Sequence, residues 1–439
     1  MVYRRTDITP GLGPGKERCV GILLKGPRVI DPSQGLDFIG DLLIEGERIA
    51  ALGEGLDQEG CEVVDCRGLI AAPGFVDMHV HLRDPGQTHK EDVYSACRAA
   101  AAGGVTSLLA MPNTTPPMDS PELVADLLGR AGRACANVYT AACVTKGMLG
   151  RECTDMAALK AAGAVAVSDD GKPVQSSLCL LEGLAKAGEL GLVFTAHCED
   201  LELAEGGLMN LGPVSERLGV PGIPPAAEDC GVAREIAAAA SIGAPVHICH
   251  VSTRGSVELI RDAKRRGVRV TAETCPHYLL LTDSALEARD ADCRMNPPLG
   301  SEEDRQALIR ALSDGTLDAI STDHAPHTPE EKADFGKAPN GAIGMETSFA
   351  AVWTALRGKL ELREVIALMS NNPARILGIP AGTLKPGARA DIVLFDPEET
   401  WTVDPDKLHG RSKNTPFKGM ELTGRVRITY LKGKKVFEL

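Results

Sequence analysis

The sequence is poor in aromatic residues and short of basic charge. Phe, Trp and Tyr make up 3% of its 439 residues, which leaves few platforms for stacking single-stranded nucleic acid. Acidic residues outnumber basic ones by 60 to 47, a formal net charge of −13. That balance argues against a general binder of nucleic acid or anionic membrane, although a local basic patch is compatible with it. No apolar run is long enough to span a bilayer. The first residues carry two arginines with no apolar segment behind them, so no secretory signal is expected. The 13 cysteines are odd in number and none forms a Cys-x-x-Cys pair, so reduced thiols in a cytoplasm are expected rather than a disulfide scaffold. The Gly-rich stretches lack GxGxxG or GxxxxGK spacing, which excludes the usual dinucleotide and phosphate loops. No short-period repeat is present.

What remains is ordinary globular material, 44% hydrophobic and 24% charged. The length predicts one large domain plus a smaller one. Residues 1–18 read as a flexible tail. Residues 19–72 carry short apolar runs broken by Gly, Pro and Asp turns, and residues 378–439 repeat that character. Together these two β-rich ends are expected to form one small β domain. Between them, residues 73–377 alternate strand-like and helical stretches. Eight strand candidates begin at about Gly74, Val105, Asn137, Val165, Leu192, Val246, Val268 and Ala319. Such alternation implies parallel strands, and eight units over this length predict an α/β fold of the (β/α)8 TIM-like barrel type. Residues 200–226, with several Gly and Pro, read as an inserted loop.

Polar residues collect at the C-terminal ends of those strands, where barrels place their active sites. His79 and His81 stand at i and i+2 and share one face of a strand, an arrangement that suits zinc. Strand four ends in Ser168-Asp169-Asp170-Gly171, strand five in His197-Cys198-Glu199-Asp200, strand six in His250-Val251-Ser252, and strand eight in Thr322-Asp323-His324. If the barrel closes, these supply enough nitrogen and oxygen ligands for two divalent ions sharing a bridge. Other polar residues have plainer readings. Asp169 orients its neighbour or caps a helix, Asp77 lies deeper on the histidine face, and His277 and His324 pack. His89–Asp92 open a helix by solvation and capping, and Arg411–Asn414 form a solvated turn.

The motifs GFVDMHVHLRDPG (Gly74–Gly86), MPNT (Met111–Thr114), SDDG (Ser168–Gly171), HCED (His197–Asp200), HVST (His250–Thr253), MNPPL (Met295–Leu299) and TDHAPH (Thr322–His327) occur in order along the barrel. This series resembles the bacterial class I dihydroorotases of the amidohydrolase superfamily. The resemblance implies a composite β-sandwich built from the chain ends. It implies His79, His81, Asp170, His197, His250 and Asp323 as metal ligands, with Asp323 also the catalytic acid/base. One or two Zn2+ ions, two favoured, would be the cofactor. Many superfamily members bridge their metals with a carboxylated lysine. Asp170 takes that place here, as in class I dihydroorotases.

The same resemblance implies substrate contacts from His81, Arg83, Asn113, Asn296, His327, Asn340 and Gly341. A guanidinium is a natural carboxylate clamp, and the period-two rule puts Arg83 on the face of the histidines. Asn340 stands where many relatives carry an aromatic. A backbone contact there would survive the change and a stacking contact would not. The implied reaction is reversible hydrolysis of dihydroorotate to N-carbamoyl-aspartate, a step of pyrimidine synthesis. Other expectations are a homo-oligomer and, in some bacteria, a complex with aspartate transcarbamoylase. The alternatives are a hydantoinase, dihydropyrimidinase or allantoinase, or a non-catalytic scaffold for the transcarbamoylase.

Overall fold

The computed structural model describes residues 21–439. The tail expected over residues 1–18 lies outside them.

Eight strands form one sheet in strict sequence order: Phe75–Val80, Val105–Ala110, Asn137–Cys143, Ala166–Ser168, Val193–Ala196, Val246–Ile248, Val270–Thr274 and Ala319–Ile320. Every neighbouring pair is parallel. A bridge between Val80 and His324 and a hydrogen bond from the His81 N–H to the His324 carbonyl (2.8 Å) close the barrel. The first two strands are buried along their whole length, as expected of strands covered on both faces. Helices on the outside start where the chemistry favours them. Asp92 caps Val93–Ala102 through the Tyr94 and Ser95 amides, and Ser120 with Pro121 opens Pro121–Ala131.

Several strands end earlier than the apolar runs suggest. The sixth stops at Ile248 and the eighth at Ile320, because His250 and Asp323 lie at φ +37° and +49° and turn the chain out of the sheet. The segment 200–226 is not a bare loop. It holds the helices Leu201–Ala204 and Pro213–Leu218 and a parallel pair, Met209–Asn210 with Gly222–Ile223.

The chain ends build two further sheets. One has four strands, ordered Arg48–Gly53, Asp41–Glu45, Gly21–Lys25, Cys61–Asp65. The other has six and mixes both ends: Lys434–Glu438, Glu421–Leu431, Ile392–Thr402, Ile70–Pro73, Arg28–Asp31, Leu36–Ile39. An apolar layer of Leu24, Leu42, Ile44, Ala71, Ile392 and Leu394 fills the space between them. The mixed sheet meets the barrel through three aromatic rings. Phe349 lies 5.5 Å from Phe75 of the first barrel strand and 4.2 Å from Phe395. Scarce aromatics are thus spent where burial per residue is largest.

Candidate active site

Six side chains converge at the barrel mouth. His79 Nε2 is 3.3 Å from Asp170 Oδ1, and His81 Nε2 is 3.5 Å from Asp170 Oδ2 and 3.0 Å from Asp323 Oδ1. On the other side of Asp170, His197 Nδ1 and His250 Nε2 stand 3.5 and 3.6 Å from Oδ1. Two triads of ligand atoms result, His79/His81/Asp170 and Asp170/His197/His250, with Asp170 common to both. The His197 Nδ1 and His250 Nε2 atoms are 2.9 Å apart, a spacing that needs a shared proton or a cation. His79 Nε2 and Asp170 Oδ1 are buried and have no hydrogen-bond partner. Such orphaned atoms cost about 1–3 kcal/mol each, and a divalent cation would satisfy them. The donor set of imidazole nitrogens and carboxylate oxygens suits zinc-like ions.

The carboxylates are poised as ligands. Burial alone would raise both acids. The charges and hydrogen bonds of His79, His197 and His250 instead hold Asp170 well below the usual carboxylate range. Asp323 sits at about 2 in spite of its burial, held there by His81 and His79. A third cluster, His79/Cys249/Glu273, uses the opposite nitrogen of His79. Burial pushes the Cys249 thiol up to about 12, so it does not compete as a thiolate ligand.

The histidines that could hold a metal are braced from behind. A metal-ligating imidazole is commonly fixed by an acceptor on its remote nitrogen. His81 Nδ1 is 2.8 Å from Asn113 Oδ1, His79 Nδ1 is 3.5 Å from Glu273 Oε1, and His197 Nε2 is 3.6 Å from Glu199 Oε2. The Asn113 amide also donates to Asp170 Oδ2 at 3.2 Å. Asn113, expected as a substrate contact, is thus held between His81 and Asp170.

A second group of residues lies beside the triads. The Arg83 Nε donates to the Pro326 carbonyl at 3.1 Å, and Nη2 is 3.2 Å from His327 Nε2. His327 Nε2 is also 2.9 Å from the Asn340 carbonyl. Burial and the Arg83 charge keep this imidazole neutral, with its pKa lowered to about 3. The first barrel strand ends at Val80, so the period-two argument does not place Arg83. Its φ of +58° and the strand-eight loop do. Arg83, His250 and Asp323 all occupy the left-handed region, where a non-glycine residue costs about 1–3 kcal/mol. Strain of this kind clusters at functional sites. Gly341 adopts φ +126°, and a Cβ there would stand 2.6 Å from the Ala325 Cβ and 3.2 Å from His327 Nε2. Asn296 and Asn340 line a cleft of about 480 Å³ with Glu199, Leu201 and Ile223. The Oδ1 atoms of both are buried and have no hydrogen-bond partner in the protein.

The amidohydrolase family pattern matches residues 70–436. The chain belongs to the amidohydrolase family. Within it, the protein is 48% identical to a dihydroorotase of Geobacter sp. (strain M21), over 95% of this chain and 100% of that protein. It is 49% identical to a dihydroorotase of Syntrophus aciditrophicus (strain SB), over 95% and 99%. These similarities place this amidohydrolase in the dihydroorotase branch. Among solved structures it resembles L-hydantoinase (dihydropyrimidinase) from Arthrobacter aurescens, with a TM-score of 0.86, 26% identity and coverage of 95% and 96%. It also resembles dihydropyrimidinase from Brevibacillus agri NCHU1002, with a TM-score of 0.84, 28% identity and coverage of 95% and 95%. The barrel, the histidine–aspartate clusters and the family agree on a metal-dependent hydrolase of cyclic amides. No helix among the described residues is long and apolar enough to cross a membrane.

Several site residues of this amidohydrolase escape the sequence reading. Glu273 is fully buried within a barrel strand, and a charged residue in such a strand was itself a signal that a partner must exist. The expected solvation of residues 89–92 fails at Lys90 and Glu91, which are buried; Lys90 pairs with Glu331 at 2.7 Å. The solvated turn expected at Arg411–Asn414 is instead packed against the barrel mouth, with Ser412 and Asn414 buried. Asp169, expected to orient its neighbour or cap a helix, instead accepts from the Val144 and Thr145 amides beyond the third strand, at 2.8 and 3.1 Å, and Ser176 caps the helix that follows. The plainer readings fit His324 and His277. His324 Nδ1 accepts from Gly344 N at 3.1 Å, and His277 lies buried edge-on to Tyr278.

Proposed function

We propose that this chain is a zinc-dependent dihydroorotase that interconverts (S)-dihydroorotate and N-carbamoyl-L-aspartate in pyrimidine synthesis. The observation that carries the reading is the half-buried Arg83 guanidinium, beside neutral His327, next to the two metal-ligand triads. A cation fixed there suits a substrate whose carboxylate is a spectator to the reaction. A hydantoin or dihydropyrimidine need not carry one. The two unpaired amide oxygens of Asn296 and Asn340 suit the ring N–H groups.

In the mechanism, His79, His81, Asp170, His197, His250 and Asp323 would hold the metal, two ions being favoured. Bound zinc would acidify water and polarise the scissile carbonyl. Asp323, ionised at neutral pH, accepts a proton from the attacking water. It returns that proton to the ring nitrogen as the C–N bond breaks, so hydroxyl ends on carbon and hydrogen on nitrogen. Arg83 and His327 hold the spectator carboxylate, and the Asn340–Gly341 backbone holds the ring, so the amide meets the nucleophile in one orientation. In synthesis the same groups act in reverse.

The test is loss of the ultraviolet absorbance of dihydroorotate with purified protein, before and after chelation and with zinc restored. Hydantoin, dihydrouracil and allantoin serve as comparison substrates. Zinc-restored turnover selective for dihydroorotate is expected. Zinc-loaded protein that ignores it, or prefers a ring without a carboxylate, overturns the proposal. The proposal extends to a cytoplasmic homo-oligomer able to assemble with aspartate transcarbamoylase, which size measurement of each protein alone and mixed would test.

A further inference from the structure

We propose that Asn414, from the segment that follows the barrel, is a positioning residue that sets the substrate loops. This inference rests on the reading above, in which His327 and the Asn340–Gly341 backbone contact substrate. The Asn414 side chain is buried and makes three hydrogen bonds, one accepted and two donated. Oδ1 accepts from the His327 N–H at 3.1 Å, and Nδ2 donates to the Ala325 carbonyl at 3.2 Å and the Gly341 carbonyl at 3.1 Å. Its backbone carbonyl accepts from the Ile343 N–H at 3.0 Å. One amide thus ties together the two ends of the long loop after barrel strand eight, residues 325–327 and residues 340–343.

The neighbours of Asn414 extend the same seam. The Ser412 hydroxyl donates to the Lys90 carbonyl at 2.8 Å, and the Arg411 N–H donates to both Glu91 oxygens at 3.2 Å. Lys90 pairs with Glu331, whose Oε2 is 3.3 Å from His327 Nδ1. Residues 411–414 therefore fasten two loops of the mouth, the long one after barrel strand eight and the one leading from Arg83. Loops are the least fixed part of a barrel, so substrate contacts carried by both ends of one loop need fastening to each other. No other side chain offers one acceptor and two donors in so small a planar group. None of these bonds reaches a metal ligand, so the strap acts on substrate placement and not on metal binding.

The experiment compares wild type with Asn414→Ala and Asn414→Asp as zinc-loaded full chains. Asn414→Asp keeps the size and the Oδ1 acceptor but sets a carboxylate oxygen against two carbonyls. Both should raise KM for dihydroorotate about tenfold, the equivalent of one or two lost hydrogen bonds, with kcat within about twofold and zinc content unchanged. Amide hydrogen exchange should quicken together at Ala325 and His327 and at residues 340–343. Unchanged KM, a fall in kcat alone, or quickening of only one of these two stretches overturns the proposal, even if thermal stability falls. If wild type does not turn over dihydroorotate, the substrate reading fails. Exchange then decides the proposal: joint loosening of the two stretches supports the strap, and independent loosening overturns it.

Discussion

Replacing Glu273 with glutamine tests whether the barrel interior tunes the metal site from behind. Glu273 is fully buried. Its Oε1 is 3.5 Å from His79 Nδ1, and its Oε2 is 3.4 Å from His247 Nε2 and accepts from the Ser321 hydroxyl. A carboxylate there requires the His79 proton on Nδ1 and leaves the Nε2 lone pair facing Asp170. Glutamine keeps the volume but has one acceptor oxygen in place of two. With its NH2 towards His79, the imidazole must move its proton to Nε2 and lose the ligand lone pair. With its oxygen towards His79, the Ser321 and His247 side faces a donor. Losing a partner of this kind typically weakens metal affinity 10–100-fold, about 1.4–2.7 kcal/mol. We expect the upper half of that range, because no water reaches the pair. The assay is competition for zinc with a chromophoric chelator, with the fold checked by circular dichroism. Equal zinc affinity in a folded Glu273→Gln protein would refute the argument, whatever its turnover.

Asp323→Asn should lower kcat by at least about 100-fold in protein of measured zinc content, since a positioned acid/base contributes about 10²–10⁴; near-normal turnover would remove Asp323 from that role. Arg83→Met should raise KM for dihydroorotate about 10–100-fold, from bonds to charge worth about 1.5–3 kcal/mol. It should leave hydrolysis of any accepted carboxylate-free ring unchanged, and an equal loss on both substrates would count against the clamp. Burial pushes the Glu235 carboxyl up to about 7, with Arg234 at 3.1 Å only partly offsetting it. Below about pH 4.5 both folded and unfolded chains carry that proton, and as pH rises towards 7 the unfolded chain releases it first, so folding stability falls. Glu235→Gln should therefore match wild type in denaturant unfolding at pH 4.5 and exceed it by about 3 kcal/mol at pH 8; equal stability at both pH values contradicts the assigned burial.

The barrel was legible because its physics is periodic. Each of the eight apolar runs is a strand, and helices such as Pro121–Ala131 fall where capping residues and spacing put them. The convergence of His79, His81, Asp170, His197, His250 and Asp323 was legible because histidines and aspartates at strand ends have few other reasons to recur. What escaped was set by partners distant in sequence. Arg83 is placed by φ and by Pro326, not by strand alternation. Asn113 reaches His81 and Asp170. Asn414 sits in a stretch whose charge reads as solvated, and its burial depends on loops more than seventy positions away. Glu273 carries its signal in composition alone, and only closure of the barrel names its partners.

The mixed sheet gives the molecule a timetable. Ile70 pairs with Phe395, so the first strands wait while some three hundred residues between them are made. At about 5–20 residues per second that delay is of the order of a quarter-minute to a minute. Throughout it the Ile70–Pro73 strand presents an open edge, the kind of surface on which nascent chains mispair. The strap carrying Asn414 arrives later still. A chain stalled after the barrel would thus carry the histidine–aspartate cluster but lack the segment that fastens the loops around it.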